Sequence, residues 1–366
     1  MSSTETFCGQ KPDNSILSSL RRNRLFLTIL FLQMIVGAVV SHYFGLNYWG
    51  RLGSTLLHIV IRMVKYSFIF ATLFIVCRFI YAAIRVRPDK PIQWIIQDTR
   101  SYLRRYVKLL DGTICFLSVG FLFTNFSCLK SLISTFQPFS WDPFLTQLDR
   151  TVHGGHHAWE ILWPLFGHPQ ITTILNTAYH AWFVLIYVTL FVACYDKRDP
   201  RRGMVYLVAF ALTFIIGGNV VATLLSSVGP VYYQHFGFGD TFVAQMQRLS
   251  DLDQISPVWA LELQERLLIA FHDGEYIAGI SAMPSMHVAS SVIMALFAFT
   301  YSRWLGWAFT LYAVMIQIGS VHLAWHYAID GYLGTAVALF CWWFAKVLTR
   351  RFYSASNAAE SASRAT

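Results

Sequence analysis

The chain has 366 residues, of which 55% are hydrophobic and only 13% charged, and its 28 Lys and Arg exceed its 19 Asp and Glu for a formal net charge of +9. A water-soluble globular domain, which gives about a quarter of its residues to charge, is excluded by that balance. Nucleic acid as a partner is excluded once the bases are located, because they gather at the borders of apolar blocks rather than along one face.

A polar cytoplasmic segment, 1–24, precedes the first apolar block. No small-residue cleavage site follows that block, so its helix is expected to remain as an anchor. Apolar blocks of about 20 residues, the length that crosses a hydrocarbon core roughly 30 Å thick, predict helices over 25–44, 66–84, 112–136, 171–194, 204–227, 284–301, 305–322 and 331–348. The fold class is therefore all-α: a polytopic membrane bundle of about eight transmembrane helices with a core of about six. Arg78 and Lys130 make the second and third spans the weakest. The six cysteines, Cys8, Cys77, Cys115, Cys128, Cys194 and Cys341, contain no C-x-x-C pair and read as small hydrophobes.

Eight spans place both ends on one side, and the loops agree. Arg21, Arg22 and Arg24, the stretch from Arg85 to Lys108, the stretch from Lys197 to Arg202, and Arg350 and Arg351 all fall on the side of the N-terminus. That side is cytoplasmic by the positive-inside rule. The opposite side is poor in base and carries Asp142, Asp149, Asp240, Asp251 and Asp253. Residues 90–108 read either as an amphipathic helix on the cytoplasmic surface or as a solvated basic loop. Two non-cytoplasmic connections, 137–170 and 230–283, are long enough to be functional. Apolar spacing within the second predicts a short interfacial helix over 258–271. The Ala/Ser-rich tail from Ser354 is expected to be disordered. The domain reading is 25–136 for the N-terminal helices with their basic loop, 137–348 for the functional membrane domain, and 349–366 for the tail.

Two motifs collect ionisable groups at one rim. Gly279 to Ser290 reads GISAMPSMHVAS and Gly319 to Gly334 reads GSVHLAWHYAIDGYLG. Both fall at the non-cytoplasmic ends of the last three spans. Pro284 suits a helix start and puts His287 in the first turn. His326 and Asp330 are four apart, which on a helix places them on one face. A carboxylate bonded to one imidazole nitrogen leaves the other as a free nucleophile. A second histidine can then protonate a departing oxygen, so two imidazoles and one carboxylate suffice for stepwise displacement at phosphorus without metal or cofactor. Any one of these histidines alone reads more naturally as a satisfied buried hydrogen bond. Three such groups at one rim favour chemistry.

Pro284-Ser285-Met286-His287 and His326-Tyr327-Ala328-Ile329-Asp330 resemble the second and third signatures of the type 2 phosphatidic acid phosphatase superfamily, P-S-G-H and S-R-x5-H-x3-D. The resemblance covers roughly 181–348. It implies that His326 is the nucleophile forming a phosphohistidine, that Asp330 orients it, and that His287 is acid and then base. Met286 replaces the glycine. The Ser-Arg pair falls at Gly319 and Ser320, and Ala222 stands where the first signature, K-x6-R-P, would need its lysine before Pro230. This pattern is similar to the inositol phosphorylceramide synthase and inositolphosphotransferase branch, which keeps the histidines and aspartate without the arginines. The resemblance implies a lipid phosphate or phosphodiester substrate, water or an inositol-type alcohol as acceptor, membrane lipids as surroundings, and a plasma or inner membrane location with the site on the non-cytoplasmic side. Without the arginines, the residues left to hold phosphate are Ser285, Ser320, His322, Tyr232 and Tyr233, together with free amides after Pro284.

Two other classes compete. His153-Gly154-Gly155-His156-His157 and His322 to His326 resemble histidine boxes of membrane di-iron desaturases and hydroxylases, although their order and side are wrong for that class. Alternatively, the run from His153 to His157 lies near an acceptor site with Asp142 and Asp149. A transporter on the same scaffold would carry polar groups deep in several spans, where this chain has little beyond Lys130, His180 and Asn219.

Overall fold

The computed structural model describes residues 16–103, 106–196, 199–274 and 279–365. Lys11, Arg104, Arg105, Lys197, Arg198 and Glu275 lie outside them, as does Cys8. Every regular element described is helical. The N-terminal part comprises α1 (Ile16–Arg22), α2 (Arg24–Tyr43), α3 (Tyr48–Tyr81), α4 (Pro91–Leu103), α5 (Tyr106–Lys130) and the single turn α6 (Ile133–Phe136). The remainder comprises α7 (Asp142–Val152), α8 (Ala158–Phe166), α9 (Pro169–Cys194), α10 (Pro200–Leu212), α11 (Ala222–Leu224), α12 (Val243–Asp253), α13 (Trp259–His272), α14 (Met286–Phe299), α15 (Arg303–His322) and α16 (Ala328–Ala365).

Local chemistry explains where the long helices start. Asn47 accepts a hydrogen bond from Gly50 N at the head of α3, and Asp199 accepts from Arg201 N and Arg202 N beside Pro200 at the head of α10. Ser302 does the same for Leu305 N in α15. Each side chain satisfies amides that the first helical turn leaves without an acceptor.

Among the described residues seven helices are long and apolar enough to cross a membrane. The sixth expected span, 284–301, is shorter than anticipated: α14 has 14 residues, about 21 Å at 1.5 Å per residue. Irregular backbone leads into its outer end. Ile280, Ala282, Met283 and Ser285 are buried in irregular backbone, held by Ala282 N–H to Ser227 O at 2.9 Å, Met283 N–H to Ser227 Oγ at 3.1 Å and Ser285 N–H to Asp330 O at 3.0 Å. Irregular backbone survives at a membrane rim only when protein satisfies its polar groups in this way.

Other boundaries moved too. The second span, expected over 66–84, begins at Tyr48. The fifth is interrupted by a π-helix over Thr213–Val221 that contains Gly217 and Gly218. Residues 90–108 do contain a helix, α4, tied to α3 by Arg78 and Asp98 at 2.8 Å. The interfacial helix expected at 258–271 is α13. The 137–170 connection holds two helices that hydropathy did not suggest, α7 and α8. The tail expected to be disordered continues α16 to Ala365.

In the packed core α14 lies against both α15 and α16, with α9 and α10 completing the group, and α5 joins it to α2 and α3. Helices α7 and α8 cover the ends of α16 and α15. The start of α14, the end of α15 and the start of α16 therefore meet at one rim.

Candidate active site

At that rim His326 Nδ1 lies 3.1 Å from Asp330 Oδ2, and Asp330 is fully buried. The pair does not share a helix face as the spacing suggested. Helix α15 ends at His322, the chain turns through Ala324 at φ +61°, and His326 precedes the first residue of α16. Asp330 reaches back from the first turn of α16 and also accepts from Tyr327 N–H at 3.1 Å. The carboxylate thus fixes both the ring and the backbone beside it.

His287, the second residue of α14, comes from the other side. Its ring stacks on Tyr179 with centroids 4.5 Å apart and lies 4.2 Å from the Trp182 ring, both on α9. The His287 and His326 ring centroids are 6.4 Å apart. Both rings line one cavity of about 320 Å³, together with Phe126, Phe183, Leu263 and Leu267. The structure brings His287, His326 and Asp330 together.

The five residues expected to hold phosphate separate. Ser285 caps α14, its Oγ accepting from Val288 N–H, and Ser320 Oγ donates to Gln317 O at 2.8 Å. His322 is buried against Trp163, its Nε2 2.9 Å from Thr172 Oγ1. Tyr233 packs with Phe238 and Phe242. None of these four lines the cavity. Tyr232 does, but its hydroxyl donates to Gln264 O at 3.0 Å.

Asp142 and Asp149, expected beside an acceptor site, are both buried and organise backbone. Asp142 accepts from Val228 N–H (2.8 Å), Gly229 N–H (2.9 Å) and Tyr327 O–H (2.8 Å). Burial pushes its carboxyl above the usual range, against the pull of those bonds, and burial beside Asp142 raises Tyr327 well above its ordinary value, so the phenol stays a donor. Asp149 accepts from Ala158 N–H at the head of α8 and from Ala328 N–H and Ile329 N–H at the head of α16. Nor do the histidines of the 153–157 run converge: His153 bonds Asp149 O and Tyr332 Oη, His156 is exposed near Glu160, and His157 N–H donates to Glu160. Among the described residues no group of three or more His, Cys, Asp or Glu could hold a metal ion.

From the sequence, Lys130 weakens the third span and counts among the few polar groups deep in the spans. It lines the cavity with both histidines, and so does Ala222.

Residues 143–344, more than half the chain, match the family model described as the PAP2 superfamily. The chain belongs to the PAP2 superfamily. The superfamily region begins earlier than the two motifs suggested, taking in most of α7 and all of α8, and this fits the work of Asp149 in holding the start of α16. Membership supports a phosphatase or phosphotransferase function for the bundle. No curated protein and no solved structure matches the chain. Helix α5, which contributes Phe126 and Lys130 to the cavity, lies outside the superfamily match.

Proposed function

We propose that this chain is a membrane phosphoryl-transfer enzyme acting on a lipid phosphate or phosphodiester through a phosphohistidine. The observation that carries the proposal is the His326–Asp330 bond at 3.1 Å, with His326 and His287 facing one apolar-walled cavity. With Nδ1–H donated to Asp330, the Nε2 lone pair of His326 attacks phosphorus. A P–N bond forms, the bond from phosphorus to the leaving oxygen breaks, and protonated His287 gives that oxygen its proton. The acceptor O–H then returns a proton to His287 as its oxygen bonds phosphorus and the P–N bond breaks. The phenyl and leucyl walls favour a donor with hydrocarbon chains. The absence of both signature arginines favours an alcohol acceptor of the inositol type over water.

The deciding experiment incubates purified protein with a panel of lipid phosphates and phosphodiesters, with and without inositol or lipid alcohols. A new phosphodiester is expected. Free phosphate instead would make the enzyme a phosphatase, and neither product would end the proposal. The site is assigned to the non-cytoplasmic side, on the loop charges. In a cysteine-free background, a cysteine at exposed Gln254 should react with an impermeant thiol reagent from outside sealed cells and one at exposed Arg303 should not; the reverse pattern overturns the assignment.

A further inference from the structure

We propose that Lys130 is the cation that holds the substrate's phosphate, supplied from helix α5 outside the superfamily region. The proposal rests on the reading of the cavity as a phosphoryl-transfer site. Among the described residues lining that cavity, Lys130 is the one Lys or Arg, and no Asp or Glu lines it. No ion pair among the described residues involves Lys130. Lys130 is half-buried, and an ammonium facing an apolar-walled cavity without a counter-ion is costly. An anion entering between the two histidines would remove that cost.

Backbone packing shows that the lysine is held in register with the histidines. A Cβ on Gly279 would lie 2.7 Å from the carbonyl carbon and 2.8 Å from the carbonyl oxygen of Lys130, and 2.9 Å from Ser131 N. Only a glycine lets this segment cross the last turn of α5 so closely. The same segment runs through Ala282 and Met283, both bonded to Ser227, into the cap of α14 and His287. The end of α5 and the segment leading into α14 are therefore in contact where both line the cavity. Ala222, also on the wall, leaves the α11 side without charge. An ammonium positioned there can take non-bridging phosphate oxygens as hydrogen-bond acceptors and stabilise the charge that builds on them as the ester bond breaks.

The test uses full-length protein in lipid nanodiscs, with turnover of the lipid donor and inhibition by inorganic orthovanadate as separate readouts. Lys130→Met should lower kcat/KM and weaken vanadate inhibition together, each by about 100-fold. Lys130→Arg, which keeps the charge, should restore most of both, and Lys346→Met on α16 should change neither. If Lys130→Met does not elute as a folded species, Lys130→Gln is read in its place, with Lys130→Arg fixing what retention of charge alone preserves. Unchanged turnover, or lost turnover with unchanged vanadate inhibition, overturns the role of Lys130 while leaving the histidine mechanism intact. Wild-type protein that neither turns over any lipid phosphate nor responds to vanadate overturns that mechanism, and the lysine's role with it.

Discussion

Carboxylates of the N-terminal helices and those at the rim beside the histidines have different partners. In the N-terminal helices Asp111 pairs with Arg22 and Asp98 with Arg78, each at 2.8 Å and each pair partly open to its surroundings. At the rim of the superfamily region Asp142, Asp149 and Asp330 are buried, and they accept from backbone amides and from Tyr327 and His326 rather than from arginine. The apolar faces differ in the same sense. Helix α3 leaves Leu57, Phe68, Leu73, Phe74 and Phe79 exposed, whereas α10 is buried without a break from Tyr206 to Leu212. One part of the molecule is a set of helices offered to lipid, in which charges serve as surface ties. In the other, charge replaces secondary structure as the acceptor for irregular backbone, and that backbone carries the histidines.

Substitutions should separate the two parts sharply. The largest effect is expected at His326: His326→Ala should lower kcat/KM by on the order of 10⁴ or more while leaving the protein monodisperse and its melting unchanged. No N-terminal ion pair should approach that figure, and a variant of near wild-type activity would remove the nucleophile from the account.

Stability should follow the partners. Asp142→Ala strips the acceptor from two buried amides and a buried phenol and should cost about 3 kcal/mol or more. Asp98→Ala breaks one partly exposed pair and should cost under about 1 kcal/mol. Thermal unfolding of both in one detergent measures the contrast, and equal losses would mean that the rim carboxylates are no more structural than the surface ones.

Glycines provide the smallest and most local comparison. A Cβ at Gly334 would meet Ser285 O at 2.6 Å, backbone that cannot move aside, whereas Gly53 in α3 has nothing within 4 Å. Gly334→Ala should destabilise by about 1–3 kcal/mol and slow turnover by shifting the α14 cap. Gly53→Ala should be neutral or stabilise by up to about 1 kcal/mol. The same sign at both sites would show that α16 does not depend on close approach to the Pro284-Ser285 turn.

Hydropathy made the long helices readable because a span must be apolar for about 20 residues whatever its neighbours are. It overran α14 by two residues at each end, at Pro284 and Ser285 and at Thr300 and Tyr301, and hydropathy cannot tell burial in protein from burial in lipid. His287, His326 and Asp330 were readable from their motifs, although His326 and Asp330 meet across a turn and not along a helix. His322 looked like a neighbour of His326 one helical turn away. The helix ends there, and the ring turns to Thr172. Asp142 and Asp149 stood out as acids on a long loop, and only the coordinates reveal which amides they serve. Lys130 stood out as a lone cation near the end of a span, and only the fold shows that it lines a cavity with both histidines.

A covalent bond between His326 and phosphorus is the central step of the proposed reaction, and trapping that bond tests it most directly. Protein mixed with donor lipid carrying ³²P and quenched in alkali within a turnover should retain label that survives base and is lost in acid, as a phosphoramidate is. The label should map to His326 and be absent from His326→Ala. Turnover without acid-labile protein-bound label, or equal labelling of His326→Ala, would contradict the account.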